Sequence, residues 1–266
     1  TGKSSLLVTL AADAIRRGIQ ASQILLLAPT RPAAHRLRDQ LITQIGWHVP
    51  ALPRTQSVHG YAFGVLRRAA HAEGSPPPRL LDAPEQDLIL AELLAGHAAG
   101  EGRAVVWPPE VAGAVGTRGF RSGLLDLFTR ATERGMGPAE LARAGRDWDE
   151  PVWVAAAGVF EEYQQVTALR SPGAYDPATL VTTAASLLHA DTRLVLDERA
   201  HTRLVLVDDY QDMGPAVQRL LTALIGPGGP VVVAGDPDGG VAGFRGGDPG
   251  LLREFPTQFT SLTGGV

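Results

Sequence analysis

Thr1-Gly2-Lys3-Ser4-Ser5 stands at the mouth of a stretch, residues 4 to 18, whose leucine and isoleucine spacing predicts a helix. Each residue type there suits a phosphate chain. Glycine lets backbone N–H groups close around an anion, lysine brings an ammonium to the β/γ oxygens, and a serine hydroxyl can ligate Mg²⁺, all at the positive end of a helix. The pattern is the tail of G-x-x-x-x-G-K-[ST], without its first glycine. The plain alternative is an exposed turn with a solvated lysine. Against it, Lys3 is the single lysine among 24 basic residues, and a matching acidic motif lies 205 positions on.

That motif is Leu204-Val205-Leu206-Val207-Asp208-Asp209-Tyr210-Gln211-Asp212. A run of leucine and valine ending in two carboxylates places Asp208 at the carboxyl end of a central strand, where open α/β sheets bind ligands. Asp208 suits a Mg²⁺ held through water, and Asp209 an attacking water. The competing reading is an acidic turn capping the next helix. A third segment, Val231 through Gly247, delivers Gly235 and Asp236 from another apolar strand to the same sheet edge, as sensing of a γ-phosphate requires. Alone it would read as a glycine-rich loop.

These residues need an α/β layer to hold them. Gln23 to Pro29 is a short continuous apolar run of the kind expected for a strand covered on both faces, and Ala33 to Ile45 places Leu37, Leu41 and Ile45 on one helical face. Thr55 to Val58 is a further expected strand and Tyr61 to His71 a helix. From 79 to about 190 the spacing turns helical, with no convincing strand, and strand–helix alternation resumes with Leu204–Val207, Ala216–Ile225 and Val231–Ala234. Three β-α units of roughly 30 residues each would account for only about 100 positions between Lys3 and Asp208. The excess predicts an inserted helical subdomain, giving motor-core segments at 1–78 and 191–266 around residues 79–190.

The 266 residues, 44% hydrophobic and 20% charged, exclude disorder as an overall description. No apolar run reaches about 18 residues, so no membrane span is expected. The absence of cysteine removes disulfides, thiolate zinc sites and cysteine nucleophiles, and fits a reducing cytoplasm. A net charge of −4 gives no global attraction for nucleic acid, which leaves local arginine-lined grooves as the means of binding it.

Taken together, the motifs resemble the UvrD/Rep-type DNA helicases of superfamily one, over essentially the whole chain and in the family's order. The phosphate loop matches Gly2-Lys3-Ser4, and a DNA-contacting threonine motif matches Ala28-Pro29-Thr30-Arg31-Pro32-Ala33-Ala34. T-x-H-[GS] matches Ser57-Val58-His59-Gly60, D-E-[FY]-Q-D matches Asp208 through Asp212, and G-D-x-x-Q-S-I-Y-x-[FW]-R-G matches Gly235 through Gly246. The resemblance implies an α/β, RecA-like P-loop sheet with an inserted all-helical subdomain. It implies ATP and Mg²⁺ as cofactors, held by Thr1, Gly2, Lys3, Ser4, Ser5 and Asp236, with Ser4 and Asp208 on the metal. Catalysis falls to Lys3, Asp208 and Asp209, and DNA contact to Thr30, Ser57, His59, Phe244 and Arg245. The inserted helices would lie along DNA; for Arg118, Arg121, Arg130 and Arg134 a solvated helix face outweighs phosphate contact.

The departures matter as well. Asp209 stands where the family has glutamate, one methylene shorter, and a misplacement of about an ångström can cost on the order of 100-fold in rate. Gly239 replaces the sensing glutamine and Ala242 the base-stacking tyrosine, leaving Phe244 to stack. A weakened motor is expected. In style the chain is similar to the actinobacterial AdnA-type subunit, a motor fused to a nuclease and paired with a stronger motor. The start at Thr1 and the end at Val266 read as cuts. They leave out a second RecA-like domain with its arginine finger, and Phe259–Thr263 reads as the strand leading towards it. Two further readings stand beside the helicase: a nucleotide-binding but non-hydrolysing DNA-binding or scaffold subunit, and a metabolic P-loop kinase. The kinase would not explain Gln211-Asp212 or Phe244-Arg245-Gly246.

Overall fold

The computed structural model describes residues 2–46, 51–226, 229–240 and 247–263. The chain divides into two compact units, residues 1–72 with 180–266, and residues 73–179.

The first unit is built on a parallel sheet. Ile24–Ala28 (β1) is buried at every position, as a strand with both faces covered must be. It lies between β2 (Arg54–Ser57), with Leu26 opposite Thr55, and β5 (Leu204–Val207), with Leu26 opposite Leu206. Outside β5 runs β6 (Val231–Val233), giving the order β2-β1-β5-β6 with every pair parallel. Parallel pairing needs crossovers. They are supplied by α2 (Arg31–Ile45) between β1 and β2, and by α11 (Pro215–Ile225) between β5 and β6. Helices α1 (Lys3–Arg16), α3 (Val58–Glu73), α10 (Thr192–Ala200), α12 (Gly250–Thr263) and most of α9 (Pro177–Ala190) complete the unit. Leu7, Val8 and Ala11 of α1 and Leu37 and Leu41 of α2 pack with Ile24, Leu26 and Leu206 in one buried cluster. Truncating a leucine in such a cluster costs about 2–5 kcal/mol. This fold is the RecA-like parallel sheet expected from the motifs.

The second unit holds β3 (Arg79–Leu80), α4 (Ala83–Ala98), α5 (Pro109–Ala112), α6 (Arg118–Glu133), α7 (Pro138–Asp147), α8 (Pro151–Arg170) and β4 (Ala174–Tyr175). Its core centres on Phe128 of α6, stacked on Phe160 of α8 with ring centroids 4.5 Å apart. At Gly145 a Cβ would lie 2.9 Å from Val154, so α7 and α8 meet where only glycine fits. Asp82 caps α4 by accepting from the Glu85 amide at 2.8 Å.

Two expectations are corrected. The helical stretch does contain strands: β3 and β4 form a short parallel ladder, with Leu80 opposite Tyr175. Two residues a side carry no readable alternation, which hides them in the sequence. Phe259–Thr263 is helix, not strand. Leu251, Phe255 and Phe259 recur every fourth residue along α12, and Phe255 stacks on Phe259 at 4.4 Å. The compact units divide at 72/73 and 179/180, the latter inside α9.

Candidate functional site

The carboxyl edge of the sheet gathers the chemistry. Beyond β1 comes Thr30, β2 ends on Ser57, and β5 and β6 run out into Asp208 and Asp236. Facing the last two, Gly2 turns the chain into α1 with φ +77, a left-handed conformation that glycine adopts without strain. No side chain caps α1, so its first-turn N–H groups have no intrahelical partner and present the anion-binding end of the helix dipole. Ser5 is exposed, its carbonyl taken by the Thr9 hydroxyl at 2.9 Å. Thr1 lies outside the described residues.

Ser4 Oγ donates to Asp208 Oδ2 at 2.7 Å across 204 positions. Asp208 is 3% exposed, and its other oxygen, Oδ1, is buried with no hydrogen-bond partner. Burial raises its pKa above the ordinary carboxyl value. The Ser4 bond opposes this, the Asp209 charge adds to it, and the Asp209 amide and Lys3 oppose it in turn. A buried carboxylate with an orphaned oxygen beside a hydroxyl is a hard-oxygen donor pair that a divalent cation would compensate. Among the described residues no group of three or more His, Asp or Glu side chains could hold a metal. A cation at Ser4 and Asp208 would therefore draw its remaining ligands from water or a phosphate, as Mg²⁺ commonly does.

Lys3 Nζ lies 3.4 Å from Asp236 Oδ2. The Asp236 carboxyl is held below its ordinary value, first by the Asp238 amide, which donates to Oδ1 at 3.1 Å, and then by Lys3. Asp209 sits at φ +48, a left-handed conformation uncommon outside glycine, at the entry to the 3₁₀ turn Tyr210–Asp212. The residue that links these groups is Gln211, which the motif contains but sequence reasoning gave no role. Its buried amide accepts from the Asp236 N–H at 2.9 Å through Oε1 and donates to Asp209 Oδ1 at 3.3 Å through Nε2. Gly235 allows this approach, because a Cβ there would lie 2.7 Å from Gln211 Oε1. Helix α11 begins at Pro215 behind Gly214, which as glycine offers no side chain to cap it.

At the other end of the edge, Thr30 caps α2, Oγ1 accepting from the Ala33 amide at 3.3 Å, and Ser57 Oγ accepts from the Gly60 amide at 3.1 Å. Each hydroxyl keeps its own hydrogen to donate outward. Thr30 is exposed and Ser57 buried. His59 is surface-exposed, yet desolvation by the nearby chain and then the Arg31 charge both lower its pKa, which favours the neutral imidazole. Phe244 and Arg245 lie outside the described residues, as does Ala242. In the helical unit Arg121 is engaged, its guanidinium donating to both oxygens of Asp87 at 2.7 and 2.9 Å.

The structure thus brings Lys3, Ser4, Asp208, Asp209 and Asp236 to one end of the sheet edge and Thr30, Ser57 and His59 to the other. Comparison with known proteins places the chain among its relatives. The chain is 25% identical to the ATP-dependent DNA helicase UvrD1 of Mycobacterium leprae over 99% of its own length and 33% of the relative's. It is 32% identical to ATP-dependent DNA helicase UvrD2 of Mycobacterium tuberculosis over 47% of the chain and 18% of the relative, and 25% identical to DNA helicase II of Escherichia coli over 76% and 25%. The chain spans about a third or less of the length of these curated relatives. The UvrD/REP helicase N-terminal domain matches residues 1–260, and the chain belongs to that family.

Proposed function

We propose that this chain is the first motor domain of an ATP-dependent DNA helicase that moves along single-stranded DNA in repair or recombination, with weakened hydrolysis. The observation that carries the reading is the Ser4–Asp208 hydrogen bond with Asp208 Oδ1 left unpaired, directly beside Lys3. The first-turn amides of α1 would cradle the phosphates and Lys3 would neutralise the β/γ oxygens. Ser4 and Asp208 would hold Mg²⁺, whose bound charge stabilises the developing charge on the transferred phosphoryl group. Asp209, held by Gln211, would orient the attacking water. Thr30 and Ser57 would donate to a DNA strand at the far end of the edge, with His59 contacting it as a neutral imidazole. Phe244 and Arg245 complete that contact set in the proposal.

Shortness at Asp209 and the lack of a side-chain donor at Gly239 support slow turnover. They also favour a second reading, a nucleotide-binding subunit that anchors DNA while a partner helicase-nuclease subunit does the work. Equilibrium binding of a fluorescent ATP analogue, followed by ATP turnover with and without single-stranded DNA, tests both. Mg²⁺-dependent binding by the isolated chain without measurable turnover is the result expected. Failure to bind nucleotide ends both readings, and robust turnover by this chain alone ends the claim that hydrolysis is weakened.

A further inference from the structure

In the helical unit the turn 148–150 joins α7 to α8. The Trp148 amide donates to the Ala144 carbonyl at 3.0 Å and the Glu150 amide to the Gly145 carbonyl at 2.7 Å, while Asp149 takes the left-handed conformation, φ +56. Gly145 in turn packs directly on Val154 of α8. The corner is braced on both helices, so a side chain at its tip is held at little further cost in entropy.

That side chain is an indole in water. Trp148 is 74% exposed and is the only exposed aromatic side chain among the described residues. Its ring centroid lies 6.4 Å from that of Trp153, the planes tilted by 30°, and Val154, next along α8, is 37% exposed. An aromatic ring left in solvent forgoes the burial that its large area would contribute, and on a braced turn it marks a contact surface. The charge beside it is one-sided. Residues 146–150 carry three carboxylates, Asp147, Asp149 and Glu150, against the one guanidinium of Arg146, all exposed. None of the three carboxylates makes an ion pair or side-chain hydrogen bond among the described residues. Such a rim repels phosphate backbones and acidic lipid, and it attracts cations.

We propose that the α7–α8 corner is a docking surface for an extended, arginine-rich peptide segment of a partner protein, whose guanidinium groups stack on Trp148 and pair with Asp147, Asp149 and Glu150. Arginine answers both features at once: its planar face stacks on an indole while its N–H edge donates to carboxylates. In an extended peptide alternate side chains point the same way about 7 Å apart, so neighbouring arginines of that set can serve the ring and the rim together. Every residue used lies between 144 and 154, so the proposal stands apart from the nucleotide and DNA readings.

The test is fluorescence anisotropy of fluorescein-labelled nona-arginine with this chain across a salt series. Trp148→Ala is expected to weaken binding about tenfold while keeping the salt dependence, because the ring is lost and the charges stay. Asp147→Asn/Asp149→Asn/Glu150→Gln is expected to weaken binding and flatten the salt dependence, with asparagine tolerating the left-handed position 149. Nona-lysine should bind several-fold more weakly than nona-arginine. Circular dichroism and thermal denaturation of both variants should match the parent, since the altered side chains are exposed. Nona-arginine binding that is absent from the parent, or unchanged by Trp148→Ala, overturns the proposal, the second result meaning attraction to net charge alone. Loss of oligo(dT) binding, of binding to anionic vesicles or of self-association in Trp148→Ala overturns it too, by giving the surface to another occupant. If Trp148→Ala fails to fold, the carboxylate variant decides: parent-like affinity and salt dependence there end the proposal.

Discussion

Ser4 and Asp208 are joined by a 2.7 Å hydrogen bond although 204 positions separate them. Between them the chain completes α1, two strands and an entire helical unit before β5 returns to the centre of the sheet. Burying Asp208 with one oxygen unpaired is unfavourable for a folded chain by itself, by about 1–3 kcal/mol for an unsatisfied polar group and more for a charged one. Sites that keep such a group are commonly functional, and the cost has a measurable consequence.

Asp208→Asn should raise the melting temperature of the isolated chain at neutral pH. The sign follows from the raised carboxyl pKa. A group that holds its proton more tightly when folded favours folding fully below its unfolded pKa, and that advantage is lost as pH rises through the folded value. At pH 7 Asp208 is thus destabilising relative to a neutral amide. Below the ordinary carboxyl range the two proteins should converge. Thermal denaturation at pH 7 and pH 3.5 checks this, and a lower melting temperature for the variant at pH 7 would show that the charge is already compensated within the chain.

Gly2→Ala and Gly235→Ala separate two uses of glycine. No atom lies within 4 Å of a Cβ at Gly2, so the cost there is the left-handed backbone alone, about 1–2 kcal/mol, together with loss of the phosphate cradle. At Gly235 the Cβ would meet Gln211 Oε1 at 2.7 Å and Leu252 Cδ2 at 2.8 Å, and the link from Asp209 to Asp236 must shift. Nucleotide affinity should fall in the first variant. In the second, proton NMR of the Gln211 side-chain amide should report the broken bridge.

Much of this arrangement was legible in the sequence because apolar runs and their acidic endings are local signals. β1, β5 and β6 follow from continuous leucine and valine, and each delivers its polar residues to the edge by chain continuity alone. What stayed hidden depends on pairing. The β3–β4 ladder has two residues a side, and α12 mixes aromatic and β-branched residues that mimic a strand although Leu251, Phe255 and Phe259 share one helical face. Gln211 is visible as a letter in a motif, but its two-sided bond exists only once β6 lies beside β5.

Glu198 is the clearest case of a residue with no sequence signal. It is 3% exposed on α10, accepts from the Tyr61 hydroxyl at 2.9 Å, and pairs with Arg68. Burial, and then the Glu198 charge, push the Tyr61 pKa up, so the phenol remains a donor at any ordinary pH. Glu198→Ala should cost about 3–5 kcal/mol by orphaning Arg68 and the buried phenol. Glu198→Gln should cost less, because the amide oxygen still accepts. Urea denaturation of the two variants gives the comparison, and equal stability to the parent would remove α10 as an anchor of α3.

Asp209→Glu with Gly239→Gln restores the family's residue types. In an enzyme containing this domain, ATP turnover should rise by one to two orders of magnitude, following the ~100-fold cost of an ångström misplacement. Glutamate is less at ease than aspartate at φ +48, and a Cβ at Gly239 would lie 3.3 Å from Asp236 Cβ, so a small loss of stability should accompany the gain. Unchanged turnover would instead favour an anchoring subunit.

The most direct measurement is a titration of this chain with a fluorescent ATP analogue, with and without excess Mg²⁺, beside Lys3→Ala. Saturable binding that tightens with Mg²⁺ and is lost in the alanine variant is the predicted result. Binding indifferent both to the metal and to Lys3 would contradict the account, because the first turn of α1 and the carboxylate of Asp208 would then not be holding a triphosphate between them.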